Sequence, residues 1–422
     1  MKAEKDKTSL QNNIFYNTLG SIVYQGALWL ITLVCLSISG LENGGILSLA
    51  MATTNVLFTI AIYGMRAFEA SDIKGKYSDK DYIVSRFFTC AVALILCVAV
   101  SMGEDTQTFW CISLYMLFRI SEAFMDVLHG IDQRVMRMDI VGKSFILRGV
   151  FSLLVFGGVL FISKSLNLAV LLMAVASFAI VIFYDVPYTK TFGDFTRKAS
   201  FKNILKLLGE CFPLVVYAFL NTVISTLPRM MIENVYGAKA LAIFTAIAAP
   251  AVVIQLGATY VFTPLISGIA NAYVSRDKIS FNKILIRVCV VMLFIGIIGI
   301  IGGFVFGDWG LSILYSAKKE VFDGVMENSK LLVPVIISAI ITAYVLFFNM
   351  LLTIIRDFKG LVISNLLGIV FCSVTGPFFI ENYYLQGANL LLILSLLVQL
   401  LGLCVFAAFK CHKHFKTAEN SQ

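Results

Sequence analysis

The chain alternates long apolar stretches with short polar connections. Each stretch is about 20 residues long, the length at which an α-helix crosses a hydrocarbon core. We predict twelve transmembrane helices with the approximate limits 15–38, 45–65, 82–102, 109–130, 144–163, 167–184, 207–227, 239–266, 284–307, 331–352, 358–379 and 387–409. Because these stretches take up nearly the whole chain, they leave no room for a soluble core and predict an all-α polytopic membrane protein.

Composition supports this class. Hydrophobic residues make up 59% of the 422 residues and charged residues only 14%, against about 25% charged residues in an ordinary soluble domain. The nine cysteines are scattered without a C-x-x-C spacing, so we predict buried free thiols and neither a metal site nor a cofactor. The net charge of +8 does not indicate nucleic-acid binding, since the basic residues lie in short connections.

The fourth stretch, 109–130, carries a row of polar side chains. At about 100° per residue, five of them fall along one side of the predicted helix: Tyr115, Arg119, Glu122, Asp126 and His129. Charged side chains inside a membrane helix cost roughly 2.5–3.5 kcal/mol each on insertion scales, so they should face protein or water rather than lipid. We therefore predict a polar path through a helix bundle.

The same row has simpler interpretations. Arg119 and Glu122 are three residues apart and could neutralise each other within one helix. Glu122 and Asp126 would suit ion coupling, because two acids one turn apart raise at least one pKa, yet Arg119 would lower it. The sequence does not decide between these effects. His129 lies near the predicted inner end of the helix, where an interfacial role is the simpler interpretation.

The connections predict the orientation in the membrane. Of the 33 lysines and arginines, 26 lie in the inner segments if the N-terminus is inside, six lie in the outer segments, and Arg119 lies within the membrane. The positive-inside rule then predicts that both termini are cytoplasmic. The basic start of the chain, 1–13, lacks a small-residue cleavage site, so we predict a retained segment and not a signal peptide.

The two halves of the chain resemble each other. Gly40, after the first span, aligns with Gly237, after the seventh. Six spans on each side predict a parallel repeat, with two six-helix lobes around a central cavity. We assign 1–184 to the first lobe, 185–206 to a cytoplasmic linker and 207–422 to the second lobe. The linker spaces apolar residues from Phe201 at helical intervals, which indicates a segment lying on the membrane or an ordinary solvated connection.

Four segments together resemble bacterial polysaccharide flippases of the Wzx type, which carry O-antigen or capsule repeat units. The segments are NTLGSIVYQGALWLITLVCLSISG, GMRAFEASDIKGKYSDKDY, FRISEAFMDVLHGIDQRVMRMDIVGKSFILRG and LNTVISTLPRMMIENVYG. Those flippases belong to the multidrug, oligosaccharidyl-lipid and polysaccharide (MOP) exporter superfamily. The resemblance covers roughly residues 10–410. It implies an inner-membrane transporter that turns an undecaprenyl-pyrophosphate-linked oligosaccharide to the outer leaflet, by alternating access, for surface polysaccharides such as the O-antigen of lipopolysaccharide.

The resemblance also implies partners and a cationic substrate site. The partners would be the lipid-linked oligosaccharide, a proton or sodium as coupling ion, and a glycan polymerase with its chain-length regulator. Arginine suits a pyrophosphate because its planar fork gives bidentate, permanently charged hydrogen bonds. The candidates are Arg66, Arg119, Arg148 and Arg229. For Arg66 and Arg148 the alternative is snorkelling to lipid headgroups.

Other classes remain open at this point. A small-molecule or drug exporter of the same superfamily fits the same pattern. A membrane-embedded glycan polymerase or ligase fits less well, because the predicted outer connections are short. The chain has no GxxxxGK[ST] motif, so ATP hydrolysis within this chain is not predicted to drive transport. The transporter interpretation predicts that the protein is not an enzyme. Prolines 213, 228, 250, 264 and 334 are candidate hinges. Ser78 and Asp81 have the spacing of a helix capping box.

Overall fold

The computed structural model describes residues 10–72, 75–262 and 265–419. The basic residues of segment 1–9, Lys74 and the candidate hinge Pro264 lie outside these ranges. The described residues form an all-helical protein. Its helices are α1 Leu10–Ser39, α2 Leu41–Ile62, α3 Met65–Ser71, α4 Asp79–Ser101, α5 Thr106–Arg134, α6 Met138–Ser163, α7 Leu166–Ile180, α8 Val186–Thr189, α9 Phe201–Ala248, α10 Val252–Phe262, α11 Ile266–Val274, α12 Lys278–Leu314, α13 Lys319–Glu327, α14 Leu332–Ile354 and α15 Phe358–Glu419.

Nine helical segments among the described residues are long and apolar enough to cross a membrane. Two of them contain a break, at Gly237 in α9 and at Tyr384 in α15, and each break separates two of the spans predicted from the sequence. The 29-residue helix α5 is not one of the nine, since it carries the charged row. The chain is therefore a multi-pass membrane protein, and the number of twelve spans stays a prediction.

The chain divides into two compact units, Met1–Phe219 and Leu220–Gln422. The division falls inside α9 and not in the connection 185–206. Helix α9 begins at Phe201 and continues into the seventh predicted span, so the apolar residues of that connection form the first turns of a long helix. The loop 66–81 contains the short helix α3 and the predicted capping box, in which Ser78 and Asp81 exchange side-chain and backbone hydrogen bonds.

Left-handed residues mark the same turns in both halves. Gly40 (φ 89°) ends the first span and Gly237 (φ 78°) ends the seventh. Met136 (φ 61°) follows the fourth span, and Arg356 (φ 54°) follows the tenth. Residues other than glycine rarely adopt positive φ, so the recurrence of positive φ at matching turns is a specific similarity of the backbone. It supports the internal repeat that the sequence predicts.

In the first unit, glycines bring α1 and α6 into backbone contact. A Cβ atom at Gly142 would overlap the backbone of Tyr16 and Asn17, and one at Gly20 would overlap the backbone of Gly142. Small residues permit this close approach between membrane helices. The packing holds α1 against the charged helix α5 at Tyr24, whose hydroxyl donates a hydrogen bond to Glu122.

The chain between α7 and α8 forms a π-helical turn, Val181–Asp185. Such turns are rare and often occur at functional sites, because the extra residue redirects the following side chains. Here the turn ends on Asp185, which is fully buried.

Proline positions agree only partly with the candidate hinges. Pro250 lies in a 3₁₀ turn that interrupts the helical chain between α9 and α10. Pro213 and Pro228 lie within continuous helix, and Pro334 lies in the first turn of α14, where proline leaves no intrahelical bond unmade.

Candidate functional site

The centre of α5 holds an ion pair inside the first unit. Arg119 Nη1 lies 2.5 Å from Glu122 Oε2, and Arg119 Nη2 donates to Asn55 Oδ1 of α2 at 3.0 Å. The guanidinium also lies over the ring of Phe58, 3.8 Å from its centroid. The Arg119 side chain keeps 13% of its surface exposed, so a permanently charged group remains accessible in the middle of a membrane helix.

Glu122 links two helices. Its Oε1 accepts a hydrogen bond from the hydroxyl of Tyr24 in α1, while its Oε2 binds Arg119 in its own helix. The intrahelical pair foreseen from the sequence is therefore present, and it is part of a larger network. Tyr115, which extends the row, is buried with its ring 5.5 Å from that of Phe118.

One turn along α5, Asp126 binds two arginines. Arg86 Nη2 of α4 lies 3.1 Å from Asp126 Oδ2, and Arg66 Nη1 of α3 lies 3.7 Å from Asp126 Oδ1. Arg66 also donates to Gln133 at 3.1 Å. Arg86 lies within the third predicted span, but the sequence analysis counted it among the 26 basic residues of the inner segments. Its pairing with Asp126 was therefore not predicted.

His129 faces the π-helical turn. Its Nε2 lies 3.4 Å from Asp185 Oδ1, and both side chains are fully buried. His129 Nδ1 and Asp185 Oδ2 have no hydrogen-bond partner within 10–72, 75–262 and 265–419. The ring of His129 packs inside the unit against Phe145, so its side chain does not face lipid headgroups, and its depth in the membrane stays a prediction.

Arg148 of α6 is fully buried. It donates to the hydroxyl of Ser121 and, at 3.3 Å, to the carbonyl of Phe118, both in α5. Within the described residues it has no carboxylate partner. Snorkelling to lipid headgroups is therefore excluded for Arg148 in this conformation. Arg66 is 25% exposed and is already paired with Asp126.

The predicted row on α5 is thus divided among its neighbours. Arg119 faces α2, Glu122 faces α1, Asp126 faces α3 and α4, and His129 faces the π-helical turn. A continuous polar path along this helix stays a prediction. Sequence periodicity locates the row correctly, but it cannot show which helix packs against each residue.

Arg229, the remaining arginine candidate, lies in the second unit. It is half-buried in α9, and its Nε has no hydrogen-bond partner. No ion pair involves it in the part of the chain that the structure describes. This arrangement leaves a cation without a partner in an apolar helix.

The second unit also contains an uncharged network that the sequence analysis missed. Four amide side chains from α9, α14 and α15 bind one another: Asn221, Asn349, Asn365 and Gln399. Asn349, Asn365 and Gln399 are fully buried, and Gln399 donates to Asn365 at 2.8 Å. The signal was available, since all four amides lie inside predicted spans, where polar side chains are expensive.

Acidic, histidine and cysteine side chains do not assemble into a metal site. Within 10–72, 75–262 and 265–419, no group of three or more lies close enough to hold an ion. The cysteines are free thiols. The site chemistry described above is therefore that of ion pairs and hydrogen bonds.

Comparisons with known proteins agree with this fold. The model of the family described as "Polysaccharide biosynthesis protein" matches residues 10–270. A relative from Staphylococcus aureus, the capsular polysaccharide biosynthesis protein CapF, is 26% identical over 407 residues, covering 93% of this chain and 98% of the relative.

Solved structures share the fold at low sequence identity. The lipid II flippase MurJ in an inward closed conformation has a TM-score of 0.70 at 13% identity, covering 92% of this chain and 86% of MurJ. An inward-facing multidrug resistance MATE transporter of the MOP superfamily has a TM-score of 0.64 at 12% identity, covering 98% of each chain. The family match confirms the resemblance found in the sequence. The chain belongs to the polysaccharide biosynthesis protein family, with the fold of the flippases and transporters of the MOP superfamily.

Proposed function

We propose that this protein turns an undecaprenyl-pyrophosphate-linked oligosaccharide from the cytoplasmic to the outer leaflet of the bacterial inner membrane, with both of its termini in the cytoplasm. The family and the capsular relative support a role in surface polysaccharide synthesis. The fold shared with a lipid II flippase supports a lipid-linked substrate. A pyrophosphate and a polar glycan cannot cross hydrocarbon unaided, which is why such a substrate needs a protein.

The observation that carries the proposal is the accessible guanidinium of Arg119. It lies at the middle of α5 and is held by Glu122 and Asn55. These partners compensate the charge when no substrate is bound. A pyrophosphate oxygen would compete with Glu122 for the same donors, because both are anionic acceptors of the arginine fork.

Glu122 would then couple substrate binding to helix packing. Once Arg119 turns to a phosphate, the Glu122 carboxylate keeps only the hydroxyl of Tyr24 from α1. An ionised carboxylate that has lost its cation is unstable in a low-dielectric site. Glu122 therefore shifts together with α1 to find a new partner, and this movement supplies part of an alternating-access cycle.

The test is deletion of the gene followed by measurement of lipid-linked oligosaccharide on each leaflet. The substrate should accumulate on the cytoplasmic leaflet, and the wild-type gene should restore its transfer. Arg119→Ala should reduce transfer about 10- to 100-fold, since a charge-assisted hydrogen bond contributes about 1.5–3 kcal/mol. The transfer rate of Arg119→Lys should lie between those of the wild type and Arg119→Ala, because lysine keeps the charge but lacks the planar guanidinium group.

Arg276→Ala is the matched control, since it removes an exposed arginine and should leave transfer unchanged. If Arg119→Ala and Glu122→Gln both complemented the deletion fully, the proposed transport function would be kept, but the role of these two residues in it would be contradicted. Normal leaflet distribution in the deletion strain, together with loss of drug efflux, would instead favour a drug exporter of the same superfamily.

A further inference from the structure

Glu69 is a buried acid that the proposed transport site does not use. It lies in α3, between the second and third predicted spans, and its side chain has no exposed surface. Neither carboxyl oxygen has a hydrogen-bond partner among the residues that the structure describes. Gly130 of α5 forms the wall beside it, because a Cβ atom at that position would overlap the Glu69 carboxyl group.

Charged groups surround Glu69, but their best donors are taken. Arg86 of α4 binds Asp126 at 3.1 Å, and Arg134 of α5 binds Asp79 of α4 at 2.6 Å. The Tyr82 hydroxyl of α4 also faces this region, and it donates to Asp72 at 3.2 Å. Glu69 is therefore a further carboxyl group beside two arginines that already have carboxylate partners.

One donor beside Glu69 is unused. Arg86 Nε has no hydrogen-bond partner in the described part of the chain, although the rest of this guanidinium binds Asp126 and the carbonyl of Ala61. Arg86 Nε could therefore act as the donor to a Glu69 carboxylate if α3 moved toward α4. The same pair of residues thus allows two arrangements, one with Glu69 neutral and unpaired and one with Glu69 ionised and paired.

The observed arrangement fits the neutral form. An ionised carboxyl group buried without a donor is strongly disfavoured. Burial raises the pKa of Glu69 well above its usual value, and the nearby Asp79 and Asp126 act in the same direction, while Arg86 and Arg134 oppose it. The acid is enclosed, and Gly130 of α5 forms one of its walls, so separation of α3 from α5 would expose it to water.

We propose that Glu69 is a proton-binding site that holds a proton while α3 packs on Gly130 and releases it to water when that contact opens. On release, the O–H bond of the acid breaks, its electron pair stays on the carboxylate, and Arg86 Nε becomes the hydrogen-bond donor to that carboxylate. The link to transport rests on the proposed function. The proton site itself does not, because it can be measured without any substrate.

Infrared spectroscopy of the purified full-length protein in lipid vesicles tests the proton site directly. A protonated buried acid gives a carboxylic C=O band, and ¹³C-labelled glutamate assigns that band to Glu. We expect a band that persists well above about pH 4.3, the ordinary pKa of Glu, and that is lost in Glu69→Gln. Glu42→Gln removes an exposed carboxyl group and should leave the band intact.

Gly130→Ala provides a second measurement that does not depend on how well Glu69→Gln folds. Its Cβ would displace the acid from its enclosed position, so the band should titrate at a lower pH than in the wild type. Absence of the band in the wild type would overturn the proposal. Persistence of the band in Glu69→Gln, or an unchanged midpoint in Gly130→Ala, would do so as well.

Flipping assays in the same vesicles separate the two proposals. If both hold, the rate of lipid-linked oligosaccharide transfer depends on pH in the wild type, and this dependence is lost in Glu69→Gln. If the carboxylic C=O band titrated as expected but the protein transferred no lipid-linked oligosaccharide, the proton site would be supported and the proposed substrate would be contradicted. Transfer with the same pH dependence in Glu69→Gln would remove the role of Glu69 in transport.

Discussion

The ion pair at the centre of α5 makes a quantitative prediction about stability. Glu122→Gln keeps the volume of the side chain and removes its charge, so Arg119 loses the carboxylate that lies 2.5 Å away. Removing one partner of a buried ion pair costs about 3–5 kcal/mol. Arg119 retains Asn55 at 3.0 Å and the ring of Phe58, and a cation–π contact contributes about 0.5–2 kcal/mol. We therefore expect a loss of about 2–4 kcal/mol in the free energy of unfolding.

A double-mutant cycle isolates the pair. Arg119→Met removes the cation, and the double variant removes both charges, so the double variant should be more stable than the sum of the single losses predicts. A coupling energy of about 1–3 kcal/mol is expected for residues in direct contact. Equilibrium unfolding in mixed micelles, with increasing dodecyl sulfate, measures all four proteins.

Glu320→Gln provides the control for this cycle. Glu320 pairs with Lys239 at 3.2 Å, but both side chains are about half exposed, so the loss should stay below about 1 kcal/mol. If Glu122→Gln unfolded within about 0.5 kcal/mol of wild type, or showed no coupling to Arg119, the pair would not stabilise the unit and the reasoning from burial would fail.

Three further predictions concern packing, the amide network and pH. Gly142→Ala should destabilise the protein by about 1–3 kcal/mol in thermal unfolding, because the new Cβ meets the backbone of α1. Gly158→Ala in the same helix is the control, since its Cβ meets nothing within 4 Å and the substitution should be neutral or stabilising. Asn365→Leu should cost about 1–2 kcal/mol in the dodecyl sulfate titration, with a smaller cost when Gln399→Leu is added, and an additive result would contradict the network. The raised pKa of Glu69 predicts that the contribution of this residue to stability is fully present below about pH 4.3 and is lost as pH rises toward the folded-state pKa. Glu69→Gln should remove this contribution from the pH dependence of the unfolding midpoint, and an unchanged pH dependence would assign it to another group.

Much of the fold could be predicted because membrane helices are recognisable in a sequence from the length and apolarity of a stretch. The spans, the capping box at Ser78 and the all-helical class follow from local pattern. The start of α9 at Phe201 did not follow, since an amphipathic turn on a membrane surface and the first turn of a membrane helix have the same spacing. Gly237 was predicted as a counterpart of Gly40, and both have positive φ.

The candidate site was only half predictable. The sequence identified four residues of the site, because a charged or polar residue inside an apolar stretch is visible without a structure. These are Arg119, Glu122, Asp126 and His129. Their partners were not identified. Asp185 lies 56 residues from His129, and Tyr24 lies 98 residues from Glu122, and no local pattern links residues so far apart.

The sequence alone determined that this chain crosses a membrane many times, which family it resembles, and which helix carries buried charge, since these depend on composition and on helical periodicity. Only the tertiary structure decided how that charge is compensated. The close approach of α1 and α6 through Gly20 and Gly142, and the π-helical turn that ends on Asp185, depend on how helices pack. The electrostatic free energy of each buried group depends on the distance to its partner, and that distance exists only in the folded chain.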